Sequence, residues 1–424
     1  MRTRKIGPAL ATVLVAGNMI GSGVFLLPAS LAATGSSTVI GWALALLGAL
    51  LIAGMFAVLG RTRPDPDGLV RWPARGLHPA LGFVSWVSYW CSNWVGNVAI
   101  ALAAVGYLGL LFPALKDSTA ALLTTLAVLW SGTLACLLGA RVVARLSALT
   151  LLIGLLPIGI AIVVGFSAFS SATFMDSWNI SGKPLAETVA PSLLTIFWAF
   201  LGLESATIAA AVVENPRRNV PIAALGGVLL AGLIYLAATV AVMGVIPAVQ
   251  LKETTAPFAE VVARVAGAGA AAFVAVCAIL KVCGTLAGWF LVAGECGRSG
   301  AAAGFLPRWM SEADPEQLPR RGLLVLGVLM SVVAIASVAP TLTAQFNLLL
   351  NVVVALFMAV YGLCALSLLL DRSQALAHRL LAAAATAFCV WVIAASGIEI
   401  TGPALVFLLA ALPAGWWLQT RQHR

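Results

Sequence analysis

Long apolar runs, separated by short charged or turn-forming segments, cover almost the whole chain. About 20 consecutive apolar residues are enough to cross a bilayer as a helix. The pattern predicts twelve spans, at residues 8–27, 38–60, 82–112, 119–139, 143–169, 190–213, 221–246, 258–299, 322–338, 344–370, 378–396 and 401–419. We therefore expect an all-α integral membrane protein, with residues 1–424 forming a single membrane domain.

Two of these spans are interrupted by glycine and polar residues at membrane depth. The first span contains Gly17–Gly23, and the sixth contains Phe197–Ser205. Interrupted helices at corresponding positions of two halves are typical of transporters built from inverted repeats. The spacing predicts a 5+5 inverted repeat, in which residues 1–169 correspond to residues 190–370. The last two spans, within 378–419, would be appended to the repeat.

Composition and charge exclude several classes of protein. The chain is 62% hydrophobic and 9% charged, with a mean hydropathy of +1.05, whereas soluble domains carry about 25% charged residues. Of its 24 lysines and arginines, 19 fall in loops on the same side of the predicted membrane as the N-terminus. Because cytoplasmic loops are enriched in these residues, both termini are placed in the cytoplasm. The exceptions are Lys116, Lys183, Lys252 and Arg264 on the other side and Lys281 within a span. We therefore attribute the net charge of +9 to the basic residues of cytoplasmic loops and not to affinity for nucleic acid.

No sequence feature indicates an enzyme. The predicted loops are too short to fold as a soluble domain, and no phosphate-binding glycine loop follows a strand pattern. The seven cysteines lie mostly within apolar runs and lack paired metal-ligand spacing, so they are read as core residues. We expect no catalytic residue, no metal and no cofactor.

The first interruption offers groups that can bind an anion. A broken helix frees the backbone N–H groups around Gly21, Ser22 and Gly23, and a helix N-terminus favours a carboxylate. Asn18, one turn earlier, can hold part of the freed backbone. The alternative is close helix packing by small residues.

Other polar and aromatic side chains also lie at membrane depth. Glu204 is expected to be functional because a carboxylate there is costly, although a hydrogen bond between helices would also explain it. Trp198 and Trp289 can hold a cation or an aliphatic chain against their rings. Lys281 either extends toward the outer surface or pairs with a carboxylate.

A polar stripe follows one face of the third span. Tyr89, Asn93 and Asn97 recur every four residues, which places them on the same side of a helix. Because polar groups facing lipid are costly, this stripe is expected to face the site or another helix.

Three segments of the chain resemble a known family. Gly17–Pro28, Phe197–Ala206 and Val213–Pro221 are similar to bacterial basic amino acid/polyamine antiporters of the amino acid–polyamine–organocation superfamily, particularly the arginine/agmatine branch. The resemblance implies a LeuT-like fold, an inner-membrane location, amino acid and amine substrates, and allows a homodimer.

The resemblance also implies roles for individual residues. Ser22 and Gly23 would receive the substrate carboxylate, and backbone carbonyls near Met19, Trp198 and Leu201 its α-ammonium. Trp289 would lie along the substrate side chain, with Asn97 near its far end. Trp198, Glu204 and Tyr361 would form an inner gate, and Tyr89 with Trp289 an outer one. The full expected substrate site is Asn18, Met19, Gly21, Ser22, Gly23, Asn93, Asn97, Trp198, Leu201, Trp289, Val353 and Phe357.

Several of these positions depart from the arginine/agmatine pattern. Val353 and Phe357 lack the hydroxyls of that pattern, and Lys281 introduces a charge where the pattern has glycine. In addition, Asn93 replaces a cysteine, Ser92 an alanine and Ile100 a methionine. We therefore expect an antiporter that exchanges arginine, ornithine or lysine for its decarboxylated amine. The alternatives are a proton-coupled or facilitative permease for neutral amino acids, and an amino acid receptor that does not transport.

Overall fold

The chain folds almost entirely into α-helices in a computed structural model. The structure describes residues 7–21, 23–65, 67–204, 213–311 and 319–422. Within these ranges the first helices are α1 (Pro8–Met19), α2 (Leu27–Ser30), α3 (Thr38–Thr62), α4 (Gly68–Gly76), α5 (Pro79–Leu111), α6 (Ser118–Leu137), α7 (Ala140–Ser167), α8 (Ser171–Asp176) and α9 (Leu185–Phe197). They are followed by α10 (Pro216–Met243), α11 (Ala248–Leu251), α12 (Pro257–Ala266), α13 (Ala268–Ala302), α14 (Arg320–Ala336), α15 (Leu342–Leu369), α16 (Leu376–Ala395) and α17 (Ile398–Gln422).

Nine of the described helices are long and apolar enough to cross a membrane: α3, α5, α6, α7, α10, α13, α15, α16 and α17. The α1 helix and the α9 segment are shorter apolar helices. The expected all-helical membrane protein is thus confirmed.

The two shorter helices end at the interruptions seen in the sequence. The α1 helix stops at Met19, and a short 3-10 turn resumes at Gly23–Phe25. The α9 helix stops at Phe197 and passes through the 3-10 turn Trp198–Phe200 into Gly202, which has a φ of +95°. This backbone angle is accessible mainly to glycine, so the second break depends on that residue.

The eighth predicted span differs from its expected form. The sequence predicts one run over 258–299, but the structure divides it into α12 and α13 at Gly267, whose φ is +86°. A glycine in this conformation ends a helix because it leaves the right-handed region of the backbone. The apolar pattern continues across Gly267 and so conceals the division.

A few long helices organise the packing. The α13 helix packs against both α5 and α7, while α15 packs against α5 and α16. The α1 helix lies against α10, which in turn packs on α3. Since α5, α13 and α15 surround the two interrupted helices, their facing residues form the walls of the space between the breaks.

Candidate functional site

A cavity lies between the two helix breaks. Its walls are formed by Asn18, Met19, Gly21, Ser92, Asn93, Gly96, Ile100, Trp198, Leu201, Thr285, Trp289, Val353 and Phe357. These residues come from both breaks and from α5, α13 and α15. The cavity has the mixed apolar and polar lining of a small-molecule site.

The first break contributes closely packed backbone. The Gly21 amide bonds to the Met19 carbonyl at 2.6 Å. A Cβ on Gly21 would lie 3.1 Å from Cγ2 of Thr285, so a larger side chain would enter the cavity or displace α13. Ser22, expected to hold a carboxylate, lies outside the described residues, and of Gly23 only the backbone, at the start of a 3-10 turn, is described.

The α5 wall carries the amide side chains of the polar stripe. Asn93 is buried, and its Nδ2 donates to the Tyr89 carbonyl at 2.9 Å. Its Oδ1 has no hydrogen-bond partner within the described ranges. Asn97, one turn farther, is fully buried just behind the cavity wall, and both atoms of its amide likewise lack partners among the described residues. Unsatisfied buried amides are costly, so the free Asn93 oxygen, on the cavity wall, is available to a ligand.

Aromatic rings close much of the remaining wall. Trp289 meets Phe357 edge-on, with ring centroids 6.5 Å apart, and Phe357 meets Tyr89 in the same way at 5.4 Å. Trp198 packs edge-on against Phe346 at 6.0 Å. With Val353 beside Phe357, this side of the cavity offers ring faces and apolar contacts instead of hydroxyls.

A carboxyl group lies at the end of the second break. Glu204 is 3% exposed and accepts a hydrogen bond from the Tyr361 hydroxyl at 2.5 Å. The Tyr89 hydroxyl donates a longer bond of 3.4 Å to the other oxygen of Glu204. Tyr361 also packs edge-on against Phe357 of the cavity wall. The carboxyl of Glu204 therefore connects the second break to α5 and α15.

The structure also adds cavity residues to the expected set. Ser92 and Ile100, named among the pocket positions that depart from the family pattern, line the cavity, and Gly96 and Thr285 line it without having been expected. Thr285 precedes Trp289 by one helical turn, so both lie on one side of α13. This spacing from Trp289 could have identified Thr285 as a cavity residue from the sequence. Its hydroxyl is buried without a hydrogen-bond partner in the described part of the chain.

Comparison with known proteins gives consistent matches over nearly the whole chain. The family described as amino acid permease matches residues 6–420. The chain is 36% identical over 332 residues to the cadaverine/lysine antiporter of Escherichia coli (strain K12), covering 78% of this chain and 74% of that protein. It is 33% identical over 353 residues to the putrescine transporter PotE of the same strain, covering 83% and 80%.

A third relative comes from another bacterium. The chain is 30% identical over 375 residues to the putrescine transporter PotE of Haemophilus influenzae, covering 88% of this chain and 86% of that protein. The proteins that the chain resembles are thus transporters and not enzymes.

Proposed function

This chain belongs to the amino acid permease family, and we propose that it exchanges a basic amino acid for its decarboxylated amine by alternating access. The observation that carries the proposal is the cavity between the two breaks, with its ring faces and unpartnered amide oxygens. Such a lining suits an aliphatic chain ending in a cation. Since one relative is a cadaverine/lysine antiporter, lysine and cadaverine are the first pair to test. Ornithine with putrescine and arginine with agmatine follow.

The proposed binding mode places the substrate backbone at the first break. Ser22 and Gly23 would receive the carboxylate through backbone N–H groups and the Ser22 hydroxyl. Gly21, whose amide bonds to the Met19 carbonyl, would leave room for it because it has no side chain. Carbonyls of Met19, Trp198 and Leu201 would receive the α-ammonium. The side chain would then extend along Trp289 and Phe357, with its cation near the free oxygens of Asn93 and Asn97. Asn18 and Val353 complete the wall.

The proposed gates use the hydrogen bonds around Glu204. The Tyr361 and Tyr89 bonds hold Glu204 between three helical elements, and a change in its protonation would alter both. Trp198 belongs to the inner gate and Trp289 to the outer one. Opening one gate while the other stays closed would expose the cavity to one side of the membrane at a time.

We further propose the architecture in which this cycle operates. Twelve spans would form a LeuT-like 5+5 inverted repeat, 1–169 against 190–370, with 378–419 appended. The protein would lie in the bacterial inner membrane with both termini in the cytoplasm, and would pair as a homodimer. Import of the amino acid with export of its amine would remove one positive charge from the cell in each cycle.

A proteoliposome assay tests the exchange. Vesicles are loaded with cadaverine, putrescine or agmatine, or left without amine, and uptake of labelled lysine, ornithine and arginine is measured. We expect uptake only against an internal amine, with one amino acid and amine pair fastest. Vesicles prepared without protein give the background rate.

Two results would contradict the proposal. Equal uptake by amine-loaded and amine-free vesicles would eliminate exchange. Labelled leucine driven by a pH gradient into amine-free vesicles would instead support a proton-coupled permease for neutral amino acids, which Val353 and Phe357 favour because they bring no hydroxyl to the wall.

A further inference from the structure

Lys281 is buried against another helix instead of facing the membrane. Its side chain is 5% exposed, whereas its neighbours Val276 and Leu280 on the outer face of α13 are 45% and 43% exposed. Lys281 therefore does not lie on the exposed side of the helix. No ion pair or side-chain hydrogen bond joins it to any of the described residues, so a carboxylate pair is not found within those ranges.

The aliphatic stem of Lys281 fills a notch in α7. A Cβ built on Gly154 would lie 2.2 Å from Cδ and 2.3 Å from Cγ of Lys281, so any residue other than glycine would collide with the stem. One turn along, the arrangement is reversed: Thr150 of α7 packs against Gly284 of α13, where a Cβ would collide with the threonine. The Ser147 hydroxyl of α7 also donates to the Gly284 carbonyl at 3.0 Å. The two helices are thus fitted to each other around this lysine.

This notch lies close to the part of the cavity formed by the first break. Thr285 follows Lys281 by four residues, about 6 Å along the helix axis. Thr285 lines the cavity and contacts Gly21. Lys281 is therefore one helical turn from Thr285, the residue beside the place proposed for the substrate carboxylate.

We propose that Lys281, as a fixed cation beside the first break, makes the transporter favour the amino acid over its decarboxylated amine. This inference rests on the proposed exchange function. The two substrates differ by the carboxylate alone: loss of carbon dioxide and gain of a proton leave the α-ammonium and the side-chain cation in place. At the end nearest Lys281, the amino acid therefore carries a carboxylate and an ammonium whose charges cancel. The amine carries only the ammonium, whose charge is uncompensated.

The size of this preference follows from Coulomb's law. One unit of charge about 10 Å away, at an effective dielectric constant of about 20, changes an affinity on the order of tenfold. No competing charge lies on the facing part of α7, where residues 146–167 contain no acidic or basic side chain. Glu204, the carboxyl of the second break, is engaged by Tyr361 and Tyr89. A preference of this kind would promote release of the amine on the side where the amino acid is taken up.

Three ligands and four variants test the proposal on the purified full-length protein. Dissociation constants for lysine, lysinamide and cadaverine are measured by titration calorimetry at pH 7. Lysinamide keeps the shape of lysine but replaces its carboxylate with a neutral amide. The neutral variants are Lys281→Met and Lys281→Gln, whose side chains are unbranched at Cβ and Cγ and can therefore occupy the notch at Gly154. Lys281→Arg retains the charge, and Lys252→Met removes an exposed cation elsewhere as a matched control.

We expect both neutral variants to weaken lysine binding about tenfold relative to lysinamide and cadaverine. Lys281→Arg should keep most of the wild-type preference, and Lys252→Met all of it. An unchanged ratio of lysine to lysinamide affinity in either folded neutral variant would overturn the proposal. Failure of wild-type protein to bind cadaverine would instead count against the exchange function, and the charge effect would then be tested with leucine and leucinamide.

Discussion

The two helix breaks present different chemistry to the same cavity. The first, around Gly21, consists of small residues and closely packed backbone, with the methyl group of Thr285 against it. The second, from Trp198 to Glu204, carries an indole ring on the cavity wall and a carboxyl already bonded to two tyrosines. One break brings backbone and small residues to the cavity, whereas the other is connected through side chains to neighbouring helices.

This difference indicates a division of roles. Backbone groups at the first break can recognise only what all amino acids share, since they are independent of side-chain identity. Hydrogen bonds at the second break can report a change in protonation or in helix position, because breaking them separates α5 and α15 from the Glu204 segment. Mutations at the first break should therefore abolish binding, and mutations at the second should mainly slow the cycle.

The largest effect is expected from Gly21→Val. Its branched side chain would collide with Thr285 and occupy the end of the cavity proposed for the carboxylate. Overpacking of this kind costs several kcal/mol, so the rate of lysine–cadaverine exchange should fall by more than about 100-fold. Gly159→Val on α7, where nothing lies within 4 Å of the new Cβ, is the matched control and should retain exchange. Comparable activity of the two variants would contradict the assigned role of the first break.

The next largest effect is expected from Trp289→Ala, between the two breaks. Loss of a cation–π contact of about 2 kcal/mol should weaken binding of cadaverine about 30-fold in a calorimetric titration. Trp391→Ala removes a partly exposed tryptophan of α16 and should leave affinity unchanged. Wild-type affinity in the Trp289 variant would refute its contact with the cation.

A smaller effect, on rate and not affinity, is expected from Tyr361→Phe. Removing the hydroxyl that bonds Glu204 costs about 1 kcal/mol, so maximal exchange should change about fivefold while the half-saturating lysine concentration stays constant. Tyr235→Phe is the control, because the equally buried hydroxyl of Tyr235 has no partner within the described ranges. A change confined to affinity would place Tyr361 in recognition and remove the distinction between the two breaks.

The smallest effect is expected outside both breaks, from Asp371→Asn. Asp371 follows α15 and pairs with Arg63 at the end of α3. A hydrogen bond from Ser373 is the main cause that lowers the pKa of Asp371 to about 2, from its usual value of 3.8. The charged form therefore adds stability above about pH 4, and this contribution is lost as the pH falls toward 2.

Partial exposure limits this contribution to about 1 kcal/mol. Asp371→Asn should lower the melting temperature at pH 7 by a few degrees, with no change in substrate affinity. Equal melting temperatures for the variant and the wild type at pH 7 would show that this ion pair does not stabilise the fold.

Much of the molecule could be predicted from sequence because its signals are local. Helices and their apolar lengths follow from composition, and the family membership expected from Gly17–Pro28 and Val213–Pro221 is confirmed by the match over 6–420. Trp198 and Trp289 stood out because tryptophan at mid-span is unusual, and the structure places both on one cavity. The count of twelve spans and the inverted repeat stay predictions.

Other features could not be predicted because they depend on contacts between helices. Thr285 resembles any threonine in an apolar helix until α13 is placed against Gly21. Asn97 belongs to the polar stripe, yet it is fully buried and is not among the residues that line the cavity. Lys281 allowed two interpretations because its partner is a glycine in another helix, and a glycine notch has no sequence signature.

The most direct measurement counts both substrates in the same vesicles. Labelled lysine entering and differently labelled cadaverine leaving are recorded together in proteoliposomes that contain wild-type protein. Our account predicts a one-to-one ratio, with negligible cadaverine efflux until lysine is added outside. Cadaverine efflux at an equal rate without any external amino acid would contradict the account.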